Sequence, residues 1–145
     1  MSDERPDAPE SIDDFRATYE RMLGFVPPRV GSRFEASEKD NPELLLAQER
    51  LRNMIMYPDT LDQKTVQLVL FGILHAKLSD AAKLHGLAAL RAGASWDELR
   101  AVIDLAFLFT GFSAINRGPQ VLADIAELEK KAAELEKKAK ENERD

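Results

Sequence analysis

Lys83-Leu84-His85-Gly86-Leu87-Ala88-Ala89-Leu90-Arg91-Ala92-Gly93-Ala94-Ser95-Trp96-Asp97-Glu98-Leu99 holds a helix stop and a helix start side by side. Gly93 suits the position just past a helix end, where a left-handed backbone is needed and a Cβ is a hindrance. Ser95 followed three residues later by Glu98 forms a capping box. The hydroxyl accepts a backbone N–H at the new helix start, and the carboxylate reaches back to the N–H of Ser95. An apolar helix is therefore expected from Ser95 to near Gly111. A short link between two helices favours packing them against each other, which makes a helical hairpin the expected core.

The same punctuation recurs outward from this point. Upstream, Val66, Val69, Leu70, Ile73 and Leu74 give Leu61 to Leu78 a wide apolar face at helical spacing. Ser79-Asp80 interrupts that face and is expected to cap a helix running to Ala92. Asn41-Pro42 pairs an N-cap residue with proline at the first helical position, and Tyr57-Pro58 ends that helix. Ser11 and Asp14 form another capping box, with Gly24 as the stop. Phe25-Val26-Pro27-Pro28 is a stiff link, because proline disfavours helix in the residue before it. A short helix follows from Pro28 to about Ala36. Downstream, Ser113 starts the last helix, and Gly118-Pro119 predicts a kink or a late start.

The C-terminal segment changes in character. Ala126 to Ala132 reads AELEKKA, and Ala133 to Ala139 repeats it. Val121, Ile125, Leu128, Ala132, Leu135 and Ala139 follow the alternating four-three spacing of a heptad seam. Two readings stay open, a solvated helical extension leaning one stripe on the body and a short coiled coil between protomers. The expected class is all-α, with about six helices around a helical hairpin core and a C-terminal helical extension. The expected organisation is a disordered tail over 1–10, a helical domain over 11–125 and the Ala/Glu/Lys-rich extension over 126–145.

Composition excludes several functions. The chain has 145 residues, with 20 Lys+Arg against 26 Asp+Glu, a formal net charge of −6, two His and no Cys. A hydrophobic fraction of 44% with seven Phe is enough for a core without disulfides or a structural metal. The acidic balance argues against a nucleic-acid partner, which needs a basic surface to displace phosphate counterions. Without Cys there is no thiol redox chemistry, Cys-type zinc site or iron–sulfur cluster. Two His ten residues apart do not fit a metal-binding helix repeat, and neither a phosphate loop nor a nucleophile elbow occurs. No metal and no cofactor are expected. The start is acidic rather than basic-then-apolar, and no run of about 18 apolar residues exists, so a cytoplasmic protein without a membrane partner is expected.

Leu61-Asp62-Gln63-Lys64-Thr65-Val66-Gln67-Leu68 resembles a helix opening of the carboxymuconolactone decarboxylase and alkylhydroperoxidase-D family. His85-Gly86-Leu87-Ala88-Ala89 leading to Gly93-Ala94-Ser95 resembles that family's His-to-Gly-Ala-Ser signature. Gly111-Phe112-Ser113-Ala114-Ile115-Asn116 is similar to a third element, and the pieces occur in the family's order. The resemblance implies an alkylhydroperoxidase-D-like all-α fold and a homo-oligomer, a trimer or hexamer. Redox members carry a Cys-x-x-Cys pair whose places here are Leu78 and Ala81, so a thiol peroxidase mechanism is lost. The family's acidic residue on the preceding helix matches Gln67, allowing one deletion. Gln67 can hydrogen-bond or orient a group but cannot exchange a proton near neutrality. The non-redox branch, which has acidic residues ahead of a Lys-Leu-His triplet, is the better match through Asp80 and Lys83-Leu84-His85. It implies acid–base chemistry, decarboxylation or isomerisation, on a small carboxylated lactone or carbonyl compound, an organic acid.

The residues themselves offer the following candidates. His85 is the leading catalytic group, because imidazole titrates nearest physiological pH; a structural hydrogen bond between helices is its other reading. His75 shares a helical stripe with Lys64, Gln67 and Phe71, and both His would face one pocket if the two helices pack antiparallel. It equally suits the last turn of its helix, where a cation meets the helix dipole favourably. Asp80 can orient an imidazole or act as a helix cap. Arg117 can hold a substrate carboxylate through its planar fork or form a surface salt bridge. Gln67, Tyr57 and Trp96 are candidates for lining the substrate pocket. A scaffold that keeps the fold without the chemistry is the alternative reading of the whole chain.

Overall fold

The structure is a computed structural model and describes residues 9–143. The expected disordered tail falls mostly on residues 1–8, which lie outside the described residues. Seven α-helices and no strand occur among the described residues: α1 (Ile12–Leu23), α2 (Pro28–Asp40), α3 (Pro42–Met56), α4 (Gln63–Ala76), α5 (Ala82–Arg91), α6 (Trp96–Thr110) and α7 (Phe112–Asn142). The expected all-α class is therefore observed. The helices fall into two compact units, one ending at Asp62 and one beginning at Gln63.

In the first unit the sequence signals map directly onto hydrogen bonds. Ser11 Oγ accepts from Asp14 N at 3.1 Å, and Asp14 Oδ2 accepts from Ser11 N at 2.9 Å. Gly24 ends α1 at φ 81°, donating to Glu20 O at 2.7 Å. α2 starts at Pro28 and continues past Ala36, the expected end, to Asp40. Asn41 then serves two helices, donating its N–H to Ser37 O and accepting Leu44 N on its side chain. Phe15, Tyr19, Leu23, Phe34 and Leu45 fill the core. Glu49 is buried among them and is ion-paired with Arg33. The Tyr19 hydroxyl also donates to Glu49 Oε2 at 3.2 Å, and the Arg52 guanidinium lies 4.4 Å from the Tyr19 ring centroid.

In the second unit α4 packs against α5 and α6, and α7 packs against the same two helices. α4 turns Val66, Gln67, Phe71 and His75 inward. α5 answers with small residues. A Cβ on Gly86 would overlap Ile125 of α7 and come within 3.4 Å of Phe71, so glycine here lets three helices approach. Gly118 plays a similar part between α6 and α7, where a Cβ would lie 2.8 Å from Ile103 Cγ2.

One local expectation is narrowed and one is corrected. α7 runs as one helix from Phe112 to Asn142 with Pro119 inside it, so of the two readings of Gly118-Pro119 the late start does not hold. The Asp80 cap is not made. α5 begins at Ala82, and its N-cap position is Ala81, without a side-chain cap bond. The reversal is a backbone turn: Leu78 adopts φ 55°, Ser79 O accepts from Ala82 N, and Ser79 Oγ accepts from Ala81 N at 3.3 Å. Residues 126–142 continue α7, with Ala132 buried and Glu136 ion-paired with Arg91. No helix among the described residues is long and apolar enough to cross a membrane.

Candidate functional site

His85 lies in the first turns of α5 and is half-buried. Its Nδ1 is 2.8 Å from Oε1 of Gln67, which α4 buries to 1% exposure. An amide oxygen only accepts, so Nδ1 carries a proton in this arrangement, and any second proton exchange falls to Nε2. Gln67 thus holds the imidazole in one orientation without adding a charge beside it.

His75 is held the other way round. It is fully buried in the last turn of α4, with Nε2 donating to Ala114 O of α7 at 2.8 Å. Its ring centroid is 5.8 Å from that of Phe71, and its buried Nδ1 has no hydrogen-bond partner. Along α4, His75 is eight residues beyond Gln67, a rise of about 12 Å. His75 therefore ties α4 to α7, while His85 engages α4 two turns away.

The charged candidates pair with each other. Arg117 donates to Asp80 Oδ1 at 2.8 Å, in a bridge linking the α4–α5 turn to α7. Lys83 approaches Asp124 of α7 at 3.6 Å. Tyr57 closes α3 in the first unit, where burial holds its phenol above the ordinary value against the opposing field of Arg52 and Arg21. Trp96 is the first residue of α6 and is half-buried. A groove of about 610 Å³ runs between α4 and α6, bounded at one place by Lys64, which donates to Glu98 Oε1 at 2.9 Å. That hydrogen bond, with those from Ser95, holds the Glu98 carboxyl below its usual range. Neither histidine lines this groove.

Compared with protein families, the chain matches the carboxymuconolactone decarboxylase family over residues 42–124, more than half its length. The chain belongs to this family. No curated protein and no solved structure compared with the chain matches it. The family match spans α3 to α6 and the first part of α7, so it includes both Gln67 and His85. Leu78 stands at the left-handed turn, and Ala81 just before α5.

The carboxymuconolactone decarboxylase resemblance pointed to His85 and Gln67 separately, and the structure joins them by a hydrogen bond. Sequence reading missed the Arg33–Glu49–Tyr19 centre. A signal existed, since Glu49 falls four residues after Leu45 and seven before Met56, on the buried stripe of α3. The α4–α6 groove had no comparable signal, because its walls read as ordinary core.

Proposed function

We propose that the chain is a cofactor-independent lyase or isomerase that acts by proton transfer on a small carboxylated lactone or carbonyl compound, with His85 as the proton carrier. The observation that carries this reading is the 2.8 Å contact between His85 Nδ1 and Gln67 Oε1. A neutral imidazole anchored at Nδ1 presents Nε2 as a base, and the resulting imidazolium can return its proton to carbon. In decarboxylation, the bond to the carboxylate breaks, its electron pair moves into the adjacent carbonyl or vinylogous system, and a proton replaces carbon dioxide. Gln67 is a positioning residue here, because it acts through the ring.

Turnover of β-keto acids and carboxylated lactones by the native chain, His85→Ala and Gln67→Glu tests this. His85→Ala is expected to lose about 100-fold or more of the activity. Gln67→Glu sets a negative charge beside the ring, favours its protonated form and moves the acidic limb of the pH profile, where the base must lose its proton, upward. Equal turnover by His85→Ala and the native chain overturns the assignment.

A second reading, a helical scaffold without catalysis, is favoured by the Asp80–Arg117 bridge, in which the candidate orienting acid and carboxylate-binding cation engage each other. A nuclear magnetic resonance titration with small carboxylates separates the two. Saturable shifts centred on His85 favour the enzyme, and their absence favours the scaffold.

A further inference from the structure

Among the described residues, buried side-chain nitrogens without a hydrogen-bond partner occur on His75, Arg91 and Arg117. Two of them belong to one corner of the second unit. His75 reaches α7 at Ala114 O, and Arg117 stands one turn further along the same helix. In Arg117 the unpartnered atom is Nε, an obligatory donor on a side chain that is always charged. Burying such a donor without an acceptor is costly, so it points to an oxygen that Asp80 does not supply.

The shape of the guanidinium says which oxygen would suit. Its Nε and Nη2 hydrogens lie along one edge, which matches the two oxygens of a carboxylate in a parallel pair of hydrogen bonds. Asp80 takes only half of that edge, accepting from Nη2 on Oδ1 at 2.8 Å. The two partners are also unequally held. The Asp80 side chain is 66% exposed on a turn, whereas that of Arg117 is 30% exposed on a helix. An exposed ion pair is weak, because water and salt compete for both charges. The acid can therefore swing into solvent while the cation stays. Lys83, three residues beyond Asp80, adds positive charge nearby, and its own partner Asp124 stands at 3.6 Å, too far for a good hydrogen bond. Arg91 shares the unpartnered Nε but pairs with Glu136 in the body of α7.

We propose that Arg117 is a carboxylate-binding residue and that Asp80 is its built-in competitor. A small organic acid takes the Nε–Nη2 edge with both oxygens and displaces Asp80, so one carboxylate replaces another and the guanidinium remains paired throughout. Asp80 ends the turn before α5, and His85 stands in the first turns of α5, so the acid is held towards the end of that helix that carries the ring. As the carboxylate subsite of a lyase or isomerase, Arg117 rests on the function proposed above. As a binding site it is measured without turnover.

Acetate, titrated at constant ionic strength against chloride, is the probe, and the arginine Nε–H signals of the nitrogen-15-labelled full chain are the readout. The Arg117 signal, assigned by its loss in Arg117→Lys, is expected to shift saturably, while that of Arg91 stays in place. Asp80→Asn removes the competitor and should bind acetate about threefold more tightly, the scale of one exposed ion pair. Arg117→Lys keeps the charge but lacks the fork, and should weaken succinate binding, followed by calorimetry, about tenfold. An Arg117 signal that acetate does not move, parallel movement at Arg91, or equal affinity of Asp80→Asn and the native chain overturns the proposal. His85→Ala should bind acetate as the native chain does. Acetate binding at Arg117 without turnover of any β-keto acid or carboxylated lactone supports the site and removes the proposed reaction. Turnover that Arg117→Lys leaves unchanged removes the subsite and keeps the reaction.

Discussion

The two units bury polar side chains by opposite means. In the first, Glu49 enters the core as a carboxylate and is met by Arg33 and the Tyr19 hydroxyl, with Arg52 stacked on the tyrosine ring. In the second, Gln67 enters the core as a neutral amide and meets an imidazole nitrogen of His85. A buried charge must be matched closely, because removing one partner strands the other in a poorly solvating interior. A buried amide demands less, because it carries no charge to be matched. The first centre is suited to holding three helices together, and the second to holding a titratable ring in place.

The largest expected difference between them is in stability. Arg33→Met should cost about 3 kcal/mol, the lower end for a broken buried pair, because the Arg33 side chain is 37% exposed and Tyr19 still contacts Glu49. Urea unfolding measures it, and a loss under about 1 kcal/mol would remove the contrast between the centres. Gln67→Met keeps the volume and removes the acceptor of His85. It should cost only about 1 kcal/mol, the scale of one neutral hydrogen bond. If instead it costs as much as Arg33→Met, the second centre is as structural as the first.

The smallest effect concerns alkaline pH and belongs to the first unit, which contains both tyrosines of the chain. Burial raises the Tyr19 phenol, with the Glu49 carboxylate adding to the rise and Arg52 opposing it; burial raises Tyr57 as well. A group whose folded value lies above its unfolded value contributes stability that is complete below the unfolded value, about 10 for tyrosine. That contribution is lost as pH rises through the raised folded value. Phenolate absorbance should therefore appear at higher pH in the folded chain than in urea, and Tyr57→Phe should flatten part of the alkaline loss. Coincident titration in the two states would contradict this.

How far each feature could be read in advance follows from how local its cause is. The capping boxes at Ser11 and Ser95, the Asn41-Pro42 start and the stops at Gly24, Gly93 and Gly111 each depend on a few adjacent residues, and all hold. Ser79-Asp80 looked equally local but behaves differently, because Arg117 from a distant helix claims Asp80 and the left-handed Leu78 makes the turn. His75 reads as a site candidate by type and stripe, yet Ala114 O and Phe71 enclose it completely.

Helix positions, the missing thiols and the net charge follow from residue types and short-range spacing alone, since hydrogen bonds within a turn and the chemistry of a side chain need no distant partner. The pairing of His85 with Gln67, the burial of His75, the diversion of Asp80 to Arg117 and the α4–α6 groove arise otherwise. Each depends on which helices cross and how closely, and in this chain small residues at Gly72, Gly86 and Gly118 set that spacing through contacts far apart in sequence.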